Sequence, residues 1–254
     1  MYFLFVASGL FVLRFGVSRY EIVQVKDTMP PDDLSFPWNT TSEDFMRCAN
    51  QVEELFALHA VSNFRHFTRP YSCKRFDAEA STSRHVLSNL FGNRNSSWTN
   101  DITLVTQLTI GRLGRLEEIL ERWRGPVSVA VHVEEPVQDV ISAICQSNIL
   151  KRDNVKTHLM RKEGMLYPVN HLRNRALSQV TTEYSFLTDV DFIPSRDLYE
   201  YSRKILETAD RKSKVALVVA AFGVFEVKKS RWKLTTAAEV TFPETKEELL
   251  ELWD

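Results

Sequence analysis

Residues 102–133 read ITLVTQLTIGRLGRLEEILERWRGPVSVAVHV. The stretch opens with a short β-rich run, ITLVT (102–106), and closes with another, VSVAVHV (127–133). Between the two runs, residues 111–123 carry apolar side chains on one helical face: Leu113, Leu116, Ile119, Leu120 and Trp123. Strand, helix and strand in this order predict two parallel strands joined by a crossover helix.

The same alternation continues along the chain. We expect a helix over 137–144, a strand over 154–160, a helix over 170–180, a strand ending in YSFLTDVD, a helix over 196–209 and an apolar strand over 215–222. Strands that are apolar throughout are typical of parallel sheets with both faces covered. The sequence therefore predicts an α/β fold, with a mainly parallel, Rossmann-type sheet flanked by helices.

The first 100 residues differ in character. The run from Tyr2 to Leu13 is apolar but shorter than the roughly 20 residues of a spanning helix, which favours a signal peptide or signal-anchor over 1–20. A buried N-terminal strand or helix is the alternative. Residues 21–100 are predicted to form a stem and an N-terminal helical region, with a helix over 42–66.

Two glycosylation sequons begin at Asn39 and Asn95, and with the apolar start they favour the lumen of the secretory pathway. The chain has three cysteines, so it can form at most one internal disulfide. We expect Cys48 to pair with Cys73, and Cys145 to be an unpaired core residue within an apolar helix.

Composition excludes several classes of function. The net charge of −1 lacks the basic surplus of a general nucleic-acid binder, so no nucleic-acid partner is expected. Neither GxGxxG nor GxxxxGK[ST] occurs, which argues against a dinucleotide-binding enzyme and a P-loop NTPase. No serine lies in a Gly-x-Ser-x-Gly elbow, so hydrolase chemistry has no support.

Asp189 and Asp191 follow the apolar strand in YSFLTDVDFIPS (184–195). Ligands collect at the carboxyl ends of strands in open α/β sheets, and residues i and i+2 of an extended segment point to the same side. Two such carboxylates suit Mn²⁺ or Mg²⁺ shared with phosphate oxygens. The triplet alone is a weak signal, and a calcium-binding or nucleotidyltransferase-like domain is a further reading.

A polar helical face precedes the aspartates. In YPVNHLRNRAL (167–177), Asn170, Arg173 and Asn174 share one side of the predicted helix. Arg173 could contact a diphosphate, and the asparagines could bind ribose or sugar hydroxyls. The alternative is a solvated face on which Arg173 only bridges to Asp189. His132 also has two readings: it could lie beside a bound nucleotide, or it could be a structural histidine.

Two longer stretches carry a family resemblance. The segment 167–195 follows the pattern YP-x-N-x-LRN-x-A, then DxD, two apolar residues and proline, and 101–133 has an opening strand, a helix and WxGP before a second strand. Together they resemble glycosyltransferase family 49. The positions that match in the first pattern are Tyr167, Pro168, Asn170, Leu172, Arg173, Asn174, Ala176, Asp189, Asp191 and Pro194.

The resemblance implies a GT-A fold and a metal-dependent glycosyltransferase. It would use a UDP-sugar donor, of glucuronyl type, to extend a glycan on a glycoprotein. It implies Mn²⁺ on Asp189 and Asp191, and Thr106, Asn170, Arg173 and Asn174 near the donor. It also implies a type II Golgi membrane setting, with the membrane contacted through the N-terminal segment. The resemblance assigns no general base.

Residues 101–254 are expected to be the N-terminal portion of a GT-A domain, because the family domain continues well past the position of Asp254. The acceptor site and a further metal ligand would belong to that continuation, and the sheet seen here would be incomplete. The alternative function is a non-catalytic secretory-pathway binding module or pseudoenzyme derived from the same fold.

Overall fold

The structure is a computed structural model. It describes residues 84–90, 101–134, 137–147, 149, 152–208 and 216–224, and shorter pieces at 2–5, 11–13, 50, 61–62, 227–228, 231–232, 248 and 251. The predicted stem, both sequons, Cys48 and Cys73 lie outside the described residues.

The described strands are β1 (Tyr2–Phe5), β2 (Phe11–Leu13), β3 (Val61–Ser62), β4 (Arg84–Leu87), β5 (Ile102–Thr109), β6 (Val127–Val133), β7 (Val155–Arg161), β8 (Tyr184–Leu187), β9 (Phe192–Pro194), β10 (Ala216–Val218), β11 (Ala221–Val224), β12 (Val227–Lys228) and β13 (Arg231–Trp232). The described helices are α1 (Leu113–Arg122), α2 (Val137–Gln146), α3 (Val169–Ser178) and α4 (Leu198–Glu207), and a 3₁₀ turn, Ile110–Arg112, joins β5 to α1.

The main sheet has six strands in the order β3-β4-β7-β6-β5-β8. Strands β7, β6, β5 and β8 are mutually parallel, with β8 at one edge, and β4 and β3 extend the other side with antiparallel pairing. The predicted α/β class and mainly parallel sheet are therefore confirmed. β3 and β4 come from the stretch before residue 101, so that stretch contributes to the same sheet.

Helices cover both faces of this sheet. Apolar residues of α1, α2 and α4 join one face of the central strands in the larger core, in which Leu104, Val129 and Val131 are fully buried. Helix α3 covers the other face, where Leu172 and Ala176 pack with Val105 in a smaller core. The alternation of side chains along β5 and β6 divides each strand between the two cores.

The structure corrects three expectations. The apolar run 215–222 forms two strands, β10 and β11, with a break between them. The helix expected over 42–66 does not continue through β3, which pairs with β4 instead. Cys145 is disulfide-bonded, not a free thiol.

The apolar N-terminal run contributes strands. β1 pairs in parallel with β9 and antiparallel with β11, while β2 pairs with β10. This arrangement agrees with the alternative of an N-terminal strand. Among the described residues, no helix combines the length and apolar character needed to cross a membrane.

A buried aromatic corner fixes α1 and α4 to the sheet. The Trp123 ring lies 5.0 Å from the Tyr199 ring, and its indole N–H donates to the Pro126 carbonyl at 3.2 Å. The Tyr199 hydroxyl donates to the buried carboxylate of Asp101 at 2.9 Å. Gly125 lies against this corner, since a Cβ added there would come within 2.2 Å of the Tyr199 ring.

We expect Gly125→Ala to lower the free energy of unfolding by about 1–3 kcal/mol, because the Tyr199 ring cannot retreat without disturbing Trp123 and Asp101. Gly114→Ala in α1 is the matched control, since nothing lies within 4 Å of a Cβ at that position. It should raise stability by up to about 1 kcal/mol, because alanine loses less backbone entropy in a helix. Urea denaturation measures both, and equal effects would contradict the packing argument.

A buried histidine ties α3 to the sheet. His158 is fully buried, and its Nδ1 accepts the Asn89 backbone N–H at 3.1 Å. Its Nε2 lies 2.9 Å from the Ser128 hydroxyl, which donates to the Ala176 carbonyl of α3 at 2.7 Å. Burial, aided by the charges of Arg175 and Lys156, lowers the pKa of His158 to about 3. The network therefore requires the neutral imidazole.

Acid should weaken the fold through His158. Above pH 6.5 the imidazole is neutral in both states, and this contribution to stability is complete. As pH falls from 6.5 towards 3, the unfolded chain binds a proton that the folded chain excludes, so stability falls by up to about 1.4 kcal/mol per pH unit. Urea melts across this range should show the slope, and His158→Gln should reduce it. An unchanged slope in that variant would assign it to other groups.

Candidate functional site

The candidate site lies where the strand order reverses. β5 has β6 on one side and β8 on the other, and open parallel sheets bind ligands beyond the carboxyl ends of strands at such a point. The pairing with β8 stops at Val105, whose carbonyl accepts the Thr188 N–H at 3.0 Å, whereas β5 continues to Thr109. The sheet therefore opens between the ends of β5 and β8.

Asp189 and Asp191 lie in this opening, just after β8 as expected. They belong to a tight turn, in which the Phe192 N–H donates to the Asp189 carbonyl at 3.0 Å, and not to the extended segment assumed from the sequence. Val190 between them is only 5% exposed and packs in the larger core. The buried valine holds the turn, and both carboxylates remain partly exposed.

Asp189 is held by two donors. An Arg173 guanidinium nitrogen lies 2.5 Å from Asp189 Oδ1, and the Gln107 side-chain amide donates to the same oxygen at 2.7 Å. Burial raises the pKa of the Asp189 carboxyl, but the hydrogen bonds from Arg173 and Gln107 and the charge of Arg173 outweigh burial. The pKa is therefore lowered, and the carboxylate is ionised at neutral pH.

Asp191 has a different partner. Arg112, at the end of the 3₁₀ turn, donates to Asp191 Oδ1 at 2.8 Å in an exposed ion pair. Each aspartate is thus paired with its own arginine, one from before α1 and one from α3. Within the described part of the chain, no group of three or more His, Cys, Asp or Glu side chains is placed to hold a metal ion.

A residue of β5 that contacts Asp189 is Gln107, next to the predicted Thr106. Thr106 is fully buried, and its hydroxyl has no hydrogen-bond partner. Successive residues of a strand face opposite sides, so Gln107 shares the α3 side with Val105 while Thr106 faces the larger core. The only prior signal for Gln107 was its position as the one amide side chain within β5.

Of the three residues on the predicted polar face of α3, one is in contact with an aspartate of the turn. Arg173 reaches Asp189, which agrees with the bridging alternative, and Asn170 and Asn174 are exposed on the same helix. Leu172 and Ala176 anchor the opposite side of α3. The sequence anticipated the contact between Arg173 and Asp189 but gave no signal for Arg112, whose contact depends on the 3₁₀ turn.

His132 lies on the α3 side of β6, next to Tyr167. It is 2% exposed, neither ring nitrogen has a hydrogen-bond partner, and the Tyr167 ring meets it edge-on at 5.2 Å. Burial lowers the pKa of His132 against the opposing charge of Glu134. Burial, together with the charge of Asp189, raises the pKa of Tyr167 to about 12. Both side chains are therefore neutral at physiological pH.

Comparison with known proteins agrees with this geometry. Residues 101–163 and 142–254 match the family described as "Glycosyl-transferase for dystroglycan", which is glycosyltransferase family 49. The two matches together cover more than half of the chain. The chain belongs to glycosyltransferase family 49. All the site residues described above lie within the matched part.

Relatives in family 49 include the xylosyl- and glucuronyltransferases LARGE1 and LARGE2. The chain is 44% identical over 157 residues to LARGE2s of Danio rerio, which covers 61% of this chain and 20% of that protein. It is 38% identical over 159 residues to human LARGE1, and the match covers 61% of this chain and 20% of that protein. The chain thus spans about a fifth of the length of the relatives it matches.

The family resemblance implies a divalent cation, and the residues at this site fit one. The two carboxylates of the turn are hard oxygen donors with part of their surface open. Oxygen donors of this kind suit Mg²⁺ and Mn²⁺. Any ligands beyond these would come from water, a bound phosphate or other parts of the protein.

Gln107→Leu should raise the pKa of Asp189, because it removes one of the two hydrogen bonds that stabilise the carboxylate. Thr106→Val is the matched control. It alters the neighbouring residue on the other face of β5 and should leave that pKa unchanged. Carboxyl ¹³C shifts followed through an acid titration measure the effect. A response in Thr106→Val but not in Gln107→Leu would contradict the assignment of faces.

Proposed function

We propose that this chain carries the donor-binding part of a metal-dependent glycosyltransferase that uses a UDP-sugar. The turn at Asp189 and Asp191, at the strand-order reversal of a family 49 sheet, is the observation that carries this proposal. A cation held there would offset negative charge on the leaving diphosphate. Arg173 lies beside the turn and can bind phosphate oxygens.

The donor and acceptor follow from the relatives. Proteins named xylosyl- and glucuronyltransferases match the chain over the site, and the family description refers to dystroglycan. We therefore propose a glucuronyl-type UDP-sugar as donor and a glycan on a glycoprotein as acceptor. Asn170 and Asn174 are exposed one helical turn apart and are suited to sugar or ribose hydroxyls.

The proposed setting is the secretory pathway, with the Golgi membrane as the expected location. The disulfide at Cys145 supports an oxidising compartment, since such bonds are rare in the cytosol. The two sequons agree with this setting. Attachment to the membrane through the N-terminal run stays a prediction.

One observation favours a non-catalytic donor-binding module as a second candidate. Both aspartates are already neutralised by arginines of the same chain, so the turn is charge-balanced without a cation. Release of UDP from a UDP-sugar in the presence of acceptor glycan distinguishes the two candidates. Turnover supports the enzyme, whereas donor binding without turnover supports the module.

Mn²⁺ with UDP should raise the melting temperature by about 5–10 °C when UDP is present at about 100 times its Kd. Asp189→Asn combined with Asp191→Asn should abolish the rise, because the cation then loses both carboxylates. Differential scanning fluorimetry measures both proteins. His171→Gln, on α3, is a control that leaves both aspartates intact. A wild-type chain indifferent to both ligands would rule out the proposal.

A further inference from the structure

We propose that Arg112 and Arg173 are resident counter-ions, each holding one aspartate of the turn until a cation and a diphosphate arrive together. When a divalent cation binds the carboxylates, the two guanidiniums pass to the diphosphate. Binding of the cation and of the anion is therefore cooperative. The inference rests on the proposed donor site, and it adds Arg112 as a second arginine of that site.

The two arginines reach the turn from different elements. Arg173 reaches Asp189 from α3 at 2.5 Å, and Arg112 reaches Asp191 from the 3₁₀ turn after β5 at 2.8 Å. Both elements lie beside the opening between β5 and β8. A diphosphate bound at the turn would therefore lie near both guanidiniums, and guanidinium groups bind phosphate in a bidentate manner.

Charge balance makes the binding of the cation and the binding of the diphosphate depend on each other. In the ligand-free chain, two carboxylates are matched by two guanidiniums. If a divalent cation were bound there without a diphosphate, both guanidiniums would lose their partners and the site would carry an excess of positive charge. A doubly negative diphosphate removes that excess and gives the arginines new partners. The diphosphate alone would instead compete with the aspartates for the same arginines, so each ligand prepares the site for the other.

The two ion pairs differ in how easily they open. The side chains of Arg112 and Asp191 are 54% and 36% exposed, and a pair so exposed is weak. Arg173 is 32% exposed, and Asp189 is held by Gln107 as well. Arg112 is thus the more readily exchanged partner. It can be altered without removing the network that supports Asp189.

Isothermal titration of the full chain tests the coupling. Mn²⁺ is titrated with and without saturating UDP, and the ratio of the two Mn²⁺ affinities is the coupling factor. In the wild type we expect UDP to tighten Mn²⁺ binding. In Arg112→Gln, Mn²⁺ alone should bind about two- to fivefold tighter, because one competing cation is gone. UDP should bind more weakly, and the coupling factor should fall by a similar ratio or more.

Arg115→Gln is the matched control. It removes the same charge three residues later, in α1, where Arg115 donates to Glu118 at 2.6 Å. Its coupling factor should equal that of the wild type. Arg112→Lys provides a second variant that keeps the charge, so it should retain most of the coupling. Melting temperatures recorded without ligand confirm that each variant is folded.

The outcomes separate this inference from the proposed function. If the wild type binds Mn²⁺ and UDP but Arg112→Gln and Arg115→Gln share the wild-type coupling factor, the counter-ion role is wrong and the donor site stands. The same conclusion follows if Mn²⁺ binds the wild type equally well with and without UDP. If the wild type binds neither ligand, both proposals fail.

Discussion

The burial of Val190 is the constraint on which the candidate site depends. The side chain is 5% exposed within the larger core, and the residues on either side of it are aspartates. With the valine inserted, the chain turns so that Phe192 bonds back to the Asp189 carbonyl. Neither carboxylate can enter the apolar core without a large desolvation cost. Packing of one apolar residue thus presents both acidic groups at the open end of the sheet.

That arrangement creates an electrostatic requirement, which the chain meets from two directions. Two neighbouring, partly buried carboxylates disfavour each other's ionised form, so they need positive charges nearby. Arg173 supplies one from α3 and Arg112 supplies the other from the turn after β5. Gln107 adds a neutral hydrogen bond to Asp189 without changing the charge. The charges of the site are therefore balanced without a ligand. The Arg112–Asp191 pair can still exchange partners, because it is exposed.

Much of the fold could be predicted from local pattern, and less of the site. Apolar strands and amphipathic helices gave the parallel sheet, and the position after an apolar strand identified the two aspartates. The contacts of Gln107 and Arg112 depend on which face of β5 meets α3 and on how the chain leaves that strand, which periodicity does not encode. β4 was missed because four residues in a mixed segment carry no pattern of their own. The disulfide at Cys145 was missed because pairing depends on proximity in the fold, not on spacing in the sequence.

The stability of the smaller core and the geometry of the site are linked through α3. The neutral His158 imidazole orients Ser128, and Ser128 holds the Ala176 carbonyl three residues beyond Arg173 on the same helix. Protonation of His158 would remove its acceptor for the Asn89 N–H and place a charge in a fully buried position near Arg175. The first structural consequence would be a loosened contact between α3 and the sheet. Since Arg173 projects from that helix to Asp189, a loosened α3 would also disturb the guanidinium–carboxylate pair at the turn.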